Sequence, residues 1–239
     1  MTVEVDGKGK VWAVSSSGAT AFDPVTREFR VFKSPTPGVG GYGVTGDPLG
    51  NGWWVTPGKD VVGVGDYETG KIVELPLAPR RDMLDLATPE DRAFFEQVGS
   101  NAGTATLPAQ GPRRMSAGTD AVWWANFWGH SIAKADLKTH EVTSYPSPIP
   151  DAHPYDVALD KLGNVWVALM TDDRIARFDP RSGQWTVFAL PSLGFELRHV
   201  AVDNHVQVPE VWAPSYRTGK VARLQFRTEA QLRDALRAR

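Results

Sequence analysis

Residues 154–190 read PYDVALDKLGNVWVALMTDDRIARFDPRSGQWTVFAL and contain four short apolar segments separated by turn residues. The segments Arg174–Phe178 and Gln184–Phe188 alternate polar and apolar side chains, as half-buried strands do. Between them, residues 179–183 supply the aspartate, proline and glycine of a tight turn. The stretch therefore predicts four strands joined by turns, at 156–159, 165–168, 174–178 and 184–188.

The same unit recurs along the chain and is marked by an apolar residue and a tryptophan that open one strand. We align five copies at Trp12, Trp54, Trp123, Trp166 and Trp212. The copies are 42, 69, 43 and 46 residues apart, and the long interval equals one period plus an insertion of 27 residues. A period in the low forties is the length of one four-stranded propeller blade. Packing between neighbouring blades explains a tryptophan in every copy.

The repeats predict an all-β protein: a β-propeller with five recognisable four-stranded blades in a single domain, 1–239. We place the blades near 1–37, 38–80, 113–148, 152–191 and 196–227. The last unit shows only three strands, and the N-terminal segment Thr2–Asp6 belongs to its own unit, so no spare strand is available to close the ring. Two alternatives remain open: the five blades close without a shared strand, or the chain is a fragment of a longer ring.

Two segments depart from the strand pattern. A threonine and a proline at 88–89, followed by acidic residues, predict a short helix at roughly 89–98. This helix lies in an insertion, 81–112, which could serve as a lid, as a docking surface or as plain decoration. Thr228 forms a capping-box pair with the glutamine three residues later, which predicts a C-terminal helix over 228–239.

Composition narrows the function classes. The 239 residues carry 26 basic and 28 acidic side chains, a formal net charge of −2, which is not typical of a nucleic-acid-binding protein. The absence of cysteine excludes disulfides and thiolate metal sites. No window reaches the roughly 18 apolar residues of a membrane helix, and the polar N-terminus lacks a signal-peptide pattern. We expect a monomer that is cytoplasmic by default, or periplasmic or extracellular if the N-terminus is truncated.

The repeated units also resemble a known family. The motifs that carry the likeness are GNVWVA at 163–168, RIARFDP at 174–180 and outer strands that end in Leu-Pro, as at 190–191. Over nearly the whole chain they resemble the streptogramin lyases, also called virginiamycin B lyases. The resemblance implies a propeller, usually of seven blades, and a magnesium-dependent elimination that opens the ester-closed ring of a type B streptogramin. Only five units are recognisable in this chain.

The resemblance also implies where a site would lie. In the active lyases, certain first strands begin with Pro-His, which places imidazoles at the mouth of the central channel. The aligned positions of this chain hold Tyr42, Arg114, Tyr155 and Arg198 instead. His199 comes one residue late, and a shift of one residue turns a strand side chain to the other face unless a bulge intervenes. The family's histidines are therefore not matched residue by residue.

The same positions can be interpreted without the family. The innermost strands of a propeller start around one axis, so we expect these four side chains to converge on one funnel. Arginine offers forked donors and tyrosine a hydroxyl and a flat apolar face, which suits an anionic or ester-bearing small molecule. Arg113 flanks the same rim. Three further side chains are predicted to extend it: Trp128, Tyr216 and Arg217.

Two functions follow from this predicted site. In the first, a lyase-like enzyme opens an ester-closed or related small molecule, with His199 as general base and Arg114 or Arg198 stabilising the developing oxyanion. In the second, the propeller binds a ligand or a partner protein without catalysis, as part of a larger exported protein. The sequence contains no metal-ligand motif, so Mg²⁺ is implied by the resemblance alone.

Overall fold

The computed structural model describes residues 2–79, 87–98 and 109–228, together with 230, 231, 233 and 237. In this part of the chain the strands form five antiparallel sheets, each built from strands that follow one another in sequence. Four sheets have four strands and the fifth has three. We call them blades 1 to 5 in chain order. The predicted all-β fold of five successive units is confirmed, including the three-stranded last unit.

The strands have the following bounds. Blade 1 contains β1 (Val3–Val5), β2 (Val11–Ser15), β3 (Gly18–Asp23) and β4 (Glu28–Lys33). Blade 2 contains β5 (Gly43–Gly46), β6 (Asn51–Thr56), β7 (Val61–Asp66) and β8 (Ile72–Pro76). Blade 3 contains β9 (Pro112–Ala117), β10 (Ala121–Asn126), β11 (Ser131–Asp136) and β12 (Val142–Pro146). Blade 4 contains β13 (Pro154–Leu159), β14 (Val165–Leu169), β15 (Arg174–Asp179) and β16 (Gln184–Ala189). Blade 5 contains β17 (Ala201–Asp203), β18 (Glu210–Pro214) and β19 (Val221–Leu224).

An aspartate in the first turn of a blade fixes both that turn and the tryptophan that follows it. The carboxylate of Asp160 accepts hydrogen bonds from two backbone N–H groups of its own turn and from the indole N–H of Trp166, each at 2.9 Å. Two further pairs repeat the indole contact at 2.8 Å: Asp6 with Trp12, and Asp47 with Trp53. In all three pairs the aspartate precedes the tryptophan by six residues, so the contact is encoded in the local sequence.

This contact corrects the alignment of the second unit, whose equivalent tryptophan is Trp53 and not Trp54. Trp53 packs against blade 3, whereas Trp54 packs against blade 1. Successive side chains of a strand point to opposite faces of the sheet, so an alignment that is wrong by one residue assigns the wrong face. The tryptophans that each pack on the following blade are Trp12, Trp53, Trp123 and Trp166.

The hydrophobic core lies between the blades. Four clusters of buried side chains join blade 1 to 2, blade 2 to 3, blade 3 to 4 and blade 4 to 5. Within the described ranges, no such cluster joins blade 5 to blade 1. The sheets therefore follow one another face to face, which brings the starts of their first strands together.

The predicted helix in the insertion is confirmed as α1 (Pro89–Val98). Thr88 Oγ1 accepts the backbone N–H of Asp91 at 3.1 Å, and the Asp91 carboxylate accepts the Thr88 N–H at 2.9 Å. Such reciprocal bonds satisfy N–H groups that a helix start leaves open. Residues 81–86 and 99–108 of the insertion lie outside the described residues, and its predicted use as a lid or docking surface stays a prediction.

The predicted capping box at the C-terminal end is present. Thr228 Oγ1 accepts the backbone N–H of Gln231 at 3.3 Å, and the Gln231 side-chain oxygen accepts the Thr228 N–H at 2.9 Å. Of the predicted helix 228–239, residues 230, 231, 233 and 237 are helical, and the remainder after 228 lies outside the described residues. Among the described helices, none is long and apolar enough to span a membrane.

Candidate functional site

The starts of the inner strands converge, and three of the four predicted side chains lie around the fourth, Tyr155. The hydroxyl groups of Tyr42 and Tyr155 hydrogen-bond to each other, linking blade 2 to blade 4. The guanidinium carbons of Arg114 and Arg198 both lie 5.9 Å from the centre of the Tyr155 ring. We call this group the funnel. Its position agrees with the sequence prediction, while its use in binding stays a prediction.

Arg113 lies beside the funnel and is surrounded by aromatic rings. Its guanidinium carbon is 4.6 Å from the ring centre of Phe127, 5.0 Å from Trp128, 5.3 Å from Tyr42 and 5.4 Å from Tyr155. The side chain is buried, and cation–π attraction offsets part of the cost of burying its charge. Trp128, a predicted binding residue, is half-buried and stacks on Arg113. Its ring therefore helps to hold the guanidinium of Arg113 beside the two tyrosines.

Two β-bulges explain how consecutive residues reach the same funnel. In the pairing of β9 with β10, Arg113 and Arg114 together lie opposite the single residue Ala125. In the pairing of β13 with β14, Tyr155 is an extra residue between paired neighbours. A bulge interrupts the alternation of side chains between the two faces. Both arginines therefore contact Tyr155, which strict alternation would prevent.

Tyr155 is a neutral group at the centre of the funnel. Burial and the hydrogen bond with Tyr42 raise the pKa of Tyr155 to about 12. The positive charges of Arg113 and Arg198 act in the opposite direction but do not prevail. At physiological pH Tyr155 therefore keeps its proton and can serve as a hydrogen-bond donor or acceptor.

A carboxylate–imidazole pair joins blades 4 and 5. Oδ2 of Asp156 lies 2.5 Å from Nδ1 of His199 and also accepts the backbone N–H of Val200 at 3.1 Å. Asp156 is buried, whereas about half of the His199 side chain is exposed. The hydrogen bond with Asp156 raises the pKa of His199, against the opposing effects of burial and of the Arg114 charge. With Nδ1 directed at the carboxylate, Nε2 is the nitrogen left to accept a proton.

His199 was predicted from the sequence, but its contact with Asp156 was not. The predicted turning of His199 to the other face does not hold, because β17 begins only at Ala201 and residues 198–200 are not in a strand. Arg198 can therefore contact Tyr155 while its neighbour His199 contacts Asp156. The two members of the pair are 43 residues apart, so no local motif could have revealed it.

The charges of two further side chains, Arg114 and Glu4, change the pKa of His199 in opposite directions. Nε of Arg114 is buried and has no hydrogen-bond partner among the described residues. A buried donor without a partner costs about 1–3 kcal/mol, which an anionic ligand group could offset. Burial by surrounding atoms and the negative charge of Asp156 raise the pKa of Glu4 on β1, although its side chain still reaches solvent. Glu4 is a second group that the sequence analysis missed.

Two of the predicted rim residues, Tyr216 and Arg217, meet Arg198 beside Glu196. Arg198 donates to Glu196 at 2.9 Å, and Arg217 donates to the other oxygen of the same carboxylate. The hydrogen bond from Arg217, together with the contact with Arg198, lowers the pKa of Glu196. The guanidinium of Arg198 also stacks on Tyr216, 3.7 Å from the ring centre, beside a cavity of about 410 Å³. The sequence predicted Arg198 and Arg217 as ligand-binding residues; in the structure both donate to Glu196.

The residues present do not fit the magnesium ion that the resemblance implies. In the described part of the chain, no group of three His, Cys, Asp or Glu side chains is placed to hold a metal ion. At the funnel, both carboxylate oxygens of Asp156 already accept hydrogen bonds. We therefore derive no reaction step that passes through a metal.

No protein-family model matches the chain, and no curated protein matches it. Solved structures do match. Selenomethionine-substituted virginiamycin B lyase from Staphylococcus aureus aligns with a TM-score of 0.72 at 18% identity, over 95% of this chain and 66% of that chain. A catalytically inactive variant of that enzyme with quinupristin aligns with a TM-score of 0.73 at 17% identity, over 94% and 66%.

A protein of a different kind shares the fold. The extracellular domain of a protein described as a one-component system from B. thetaiotaomicron aligns with a TM-score of 0.56 at 13% identity, over 94% of this chain and 29% of that chain. The present chain spans about two thirds of the length of the lyase structures. At such low identities the likeness establishes the fold alone: the chain is a β-propeller similar in architecture to the virginiamycin B lyases.

Proposed function

We propose that the funnel binds an ester-bearing small molecule and that the chain is a carbon–oxygen lyase. The observation that carries this proposal is the Asp156–His199 pair, at 2.5 Å, next to Arg114, whose Nε has no hydrogen-bond partner within the described part of the chain. A base oriented by a buried carboxylate, with a cationic donor nearby, is what proton abstraction next to a carbonyl requires. The likeness to virginiamycin B lyases agrees with this reaction class.

The proposed step is an elimination. Nε2 of neutral His199 takes a proton from the carbon next to a carbonyl, and the electrons of that C–H bond form a carbon–carbon double bond. The C–O bond of the ester breaks, and its electrons leave with the carboxylate. Arg114 donates to the oxyanion that develops on the carbonyl, and Asp156 stabilises the imidazolium. The imidazolium of His199 then returns a proton to the released carboxylate, directly or through solvent, so the base is regenerated and the ring-opened acid has the mass of the substrate.

Other residues of the funnel have binding roles in this proposal. Tyr42 and Tyr155 present a neutral hydroxyl pair and apolar ring faces to the ligand. Arg113 holds these rings in place through its stacking contacts. Arg198 is fixed by Glu196, so it acts as an oriented contact and Arg114 is the better candidate for the oxyanion donor.

The test is a mass-spectrometric assay with a type B streptogramin, with and without Mg²⁺. Elimination gives a ring-opened product of unchanged mass, whereas hydrolysis adds one water. We expect His199→Ala to lower the rate by about 100-fold or more, because general base catalysis contributes 10²–10⁴-fold. Arg114→Ala should also lower it. The matched control is His205→Ala, in a loop of the same blade, which should leave the rate unchanged. A product heavier than the substrate by one water contradicts the proposed elimination. Full activity of His199→Ala contradicts the role of His199 as the base.

Ligand binding without catalysis is the second candidate. It is supported by the similarity to the extracellular domain of a protein described as a one-component system and by the engagement of Arg198 and Arg217 with Glu196. Thermal denaturation in the presence of the same streptogramin separates the two candidates. A raised Tm without product formation favours a binding module, and a raised Tm that disappears with Tyr155→Ala places the ligand in the funnel.

A further inference from the structure

The strand register defines one position that recurs at the start of every blade. The repeated tryptophans pair across their sheets with Glu4, Thr45, Ser116, Ala158 and Ala201. Two residues before each of these partners, the chain holds Thr2, Gly43, Arg114, Asp156 and His199. We call this the inner position. It groups Arg114 with Asp156 and His199, whereas the sequence alignment grouped Arg114 with Tyr155; the register puts Arg113 at the place of Tyr155.

Three consecutive blades carry the charged and titratable groups of the inner position. Blade 3 supplies a guanidinium, blade 4 a carboxylate and blade 5 an imidazole. In blade 2 the position is Gly43, where an added Cβ would collide with the backbone of Arg113 and come within 3.0 Å of the Cα of Arg114. The first strand of blade 2 therefore lies directly against β9, and Arg114 has no side chain from blade 2 at its own level.

Arg114 is a permanent positive charge at this position. A guanidinium does not lose its proton in proteins, and its buried Nε has no hydrogen-bond partner among the residues that the structure describes. Arg198 differs, because it donates to Glu196. The hydrogen bond with Asp156 raises the pKa of His199, and the charge of Arg114 acts in the opposite direction. The field of Arg114 therefore reaches the imidazole that the proposed function uses as a base.

The carboxylates near Arg114 are poor ligands for a magnesium ion. Mg²⁺ requires an octahedral set of oxygen ligands and is usually held by carboxylates and water. Asp156 Oδ1 accepts the backbone N–H of Val157 at 2.9 Å, and Oδ2 accepts from His199 and Val200. Burial and the charge of Asp156 raise the pKa of Glu4, which disfavours the charged form that binds metal. A guanidinium at the same level also repels a second cation.

We propose that Arg114 takes the place of the metal ion that the resemblance implies, so that the site stabilises a developing oxyanion without a divalent cation. A metal ion and a fixed guanidinium can both stabilise negative charge on a reacting oxygen. They differ in one testable respect, since a chelator removes the metal and leaves the guanidinium. The inference rests on the proposed lyase function for the identity of the oxyanion, while the exclusion of metal by Arg114 can be measured without turnover.

The first experiment measures Mg²⁺ binding to the 239-residue chain by isothermal titration calorimetry and compares its Tm in Mg²⁺ and in EDTA. A ligand that binds the folded state raises Tm. We expect no binding heat from the inner position and the same Tm in both solutions. Heat that is lost in Asp156→Asn overturns the proposal, because it places the ion at the inner position. Heat that persists in Asp156→Asn comes from another site and agrees with the proposal.

The second experiment exchanges the charge. Arg114→Glu adds a carboxylate beside Asp156 and Glu4, so we expect Mg²⁺ to bind this variant and to raise its Tm by several degrees. The matched control is Lys33→Glu, which makes the same change of net charge at an exposed residue of β4 and should show no Mg²⁺ effect. Arg114→Glu that is folded by circular dichroism but binds no more Mg²⁺ than the wild type overturns the proposal.

If Arg114→Glu does not fold, two milder variants still decide. Arg114→Gln removes the positive charge that lowers the pKa of His199, so the imidazole titration followed by NMR should move to higher pH. Arg114→Lys keeps the charge and should leave the titration close to that of the wild type. An unmoved titration in Arg114→Gln shows that the guanidinium does not act on this site, and the proposal fails.

Turnover separates this inference from the proposed function. We expect the rate of streptogramin ring opening to be the same in Mg²⁺ and in EDTA. A rate that EDTA abolishes leaves the lyase function standing and overturns the replacement of the metal by Arg114. Absence of turnover in both solutions removes the lyase function, while calorimetry and NMR still decide whether Arg114 is the cation of the inner position.

Discussion

Replacement of Trp166 tests the contact that holds consecutive blades together. Its indole is 1% exposed, packs into the blade 5 interface and donates to Asp160 at 2.9 Å. Removal of a core aromatic side chain costs about 3–5 kcal/mol. The change also deprives a buried carboxylate of one donor, at about 1–3 kcal/mol. We expect Trp166→Ala to lower the free energy of unfolding by about 4 kcal/mol or more, a large part of the roughly 5–15 kcal/mol that stabilises a domain.

Two further variants divide this loss into its parts. Trp166→Phe keeps an aromatic ring and removes the donor to Asp160, so it should cost about 1–3 kcal/mol. Trp212→Ala, at the equivalent place in blade 5, should cost less than about 2 kcal/mol, because that indole is already 38% exposed and belongs to none of the buried clusters formed by the described residues. The difference between the losses of unfolding free energy in Trp166→Ala and Trp212→Ala thus measures how much a covering blade adds to stability.

Urea denaturation followed by far-ultraviolet circular dichroism gives these values. Midpoints are compared at a common slope, and a changed slope would signal a changed denatured or native state. If Trp212→Ala costs as much as Trp166→Ala, the outer face of blade 5 is packed in solution, and the argument from exposure is wrong. If Trp166→Ala costs under about 1 kcal/mol, the tryptophans do not hold the blades together.

Four other predictions concern the funnel, the neighbouring Asp156–His199 pair and the blade interfaces. Asp156→Asn removes the hydrogen bond that raises the pKa of His199, so the imidazole titration followed by NMR should move to lower pH; an unmoved curve contradicts the pair. Because the pKa of His199 is raised in the folded protein, the stability that His199 contributes is fully present below its unfolded pKa of about 6.5 and is lost as pH rises through its folded pKa. The difference in free energy of unfolding between the wild type and His199→Ala should therefore shrink as pH rises; a difference that grows with pH contradicts the pair. Tyr42→Phe removes a hydrogen bond that raises the pKa of Tyr155. In an ultraviolet titration the pKa of Tyr155 should then fall below about 12, while burial keeps this pKa above its usual value. An unchanged pKa would show that Tyr42 has no effect. Gly52→Ala places a Cβ against the indole of Trp12, which should cost about 1–3 kcal/mol or more and lower Tm by about 2–4 °C per kcal/mol; an unchanged Tm means that this interface can shift.

The funnel was predictable in its position and not in its chemistry. Tyr42, Arg114, Tyr155 and Arg198 could be placed at strand starts because the repeat gives each blade the same order of strands. The bulge that lets Arg113 lie beside Arg114 is not marked by any residue pattern in a single sequence. The sequence therefore predicted these four residues of the funnel, but not the residues that they contact.

The partners depend on contacts between distant parts of the chain. Glu196 accepts hydrogen bonds from Arg198 and from Arg217, which is 21 residues away, so this carboxylate compensates part of the positive charge of the two arginines. Asp156 orients His199 across the boundary between two blades. Only folding brings such residues together, so their charges and pKa values are properties of the tertiary structure.

The repeated strand-and-turn unit is encoded locally, and so are the order of the blades, the short last blade and the start of α1, because these rest on periodicity, turn residues and capping pairs within a few positions. Which face each tryptophan occupies emerges only when the sheets pack, since a shift of one residue exchanges the faces of a strand. The same packing leaves Trp212 and Phe29 exposed. Exposure depends on which sheets pack on which, and the sequence of one blade does not contain that information.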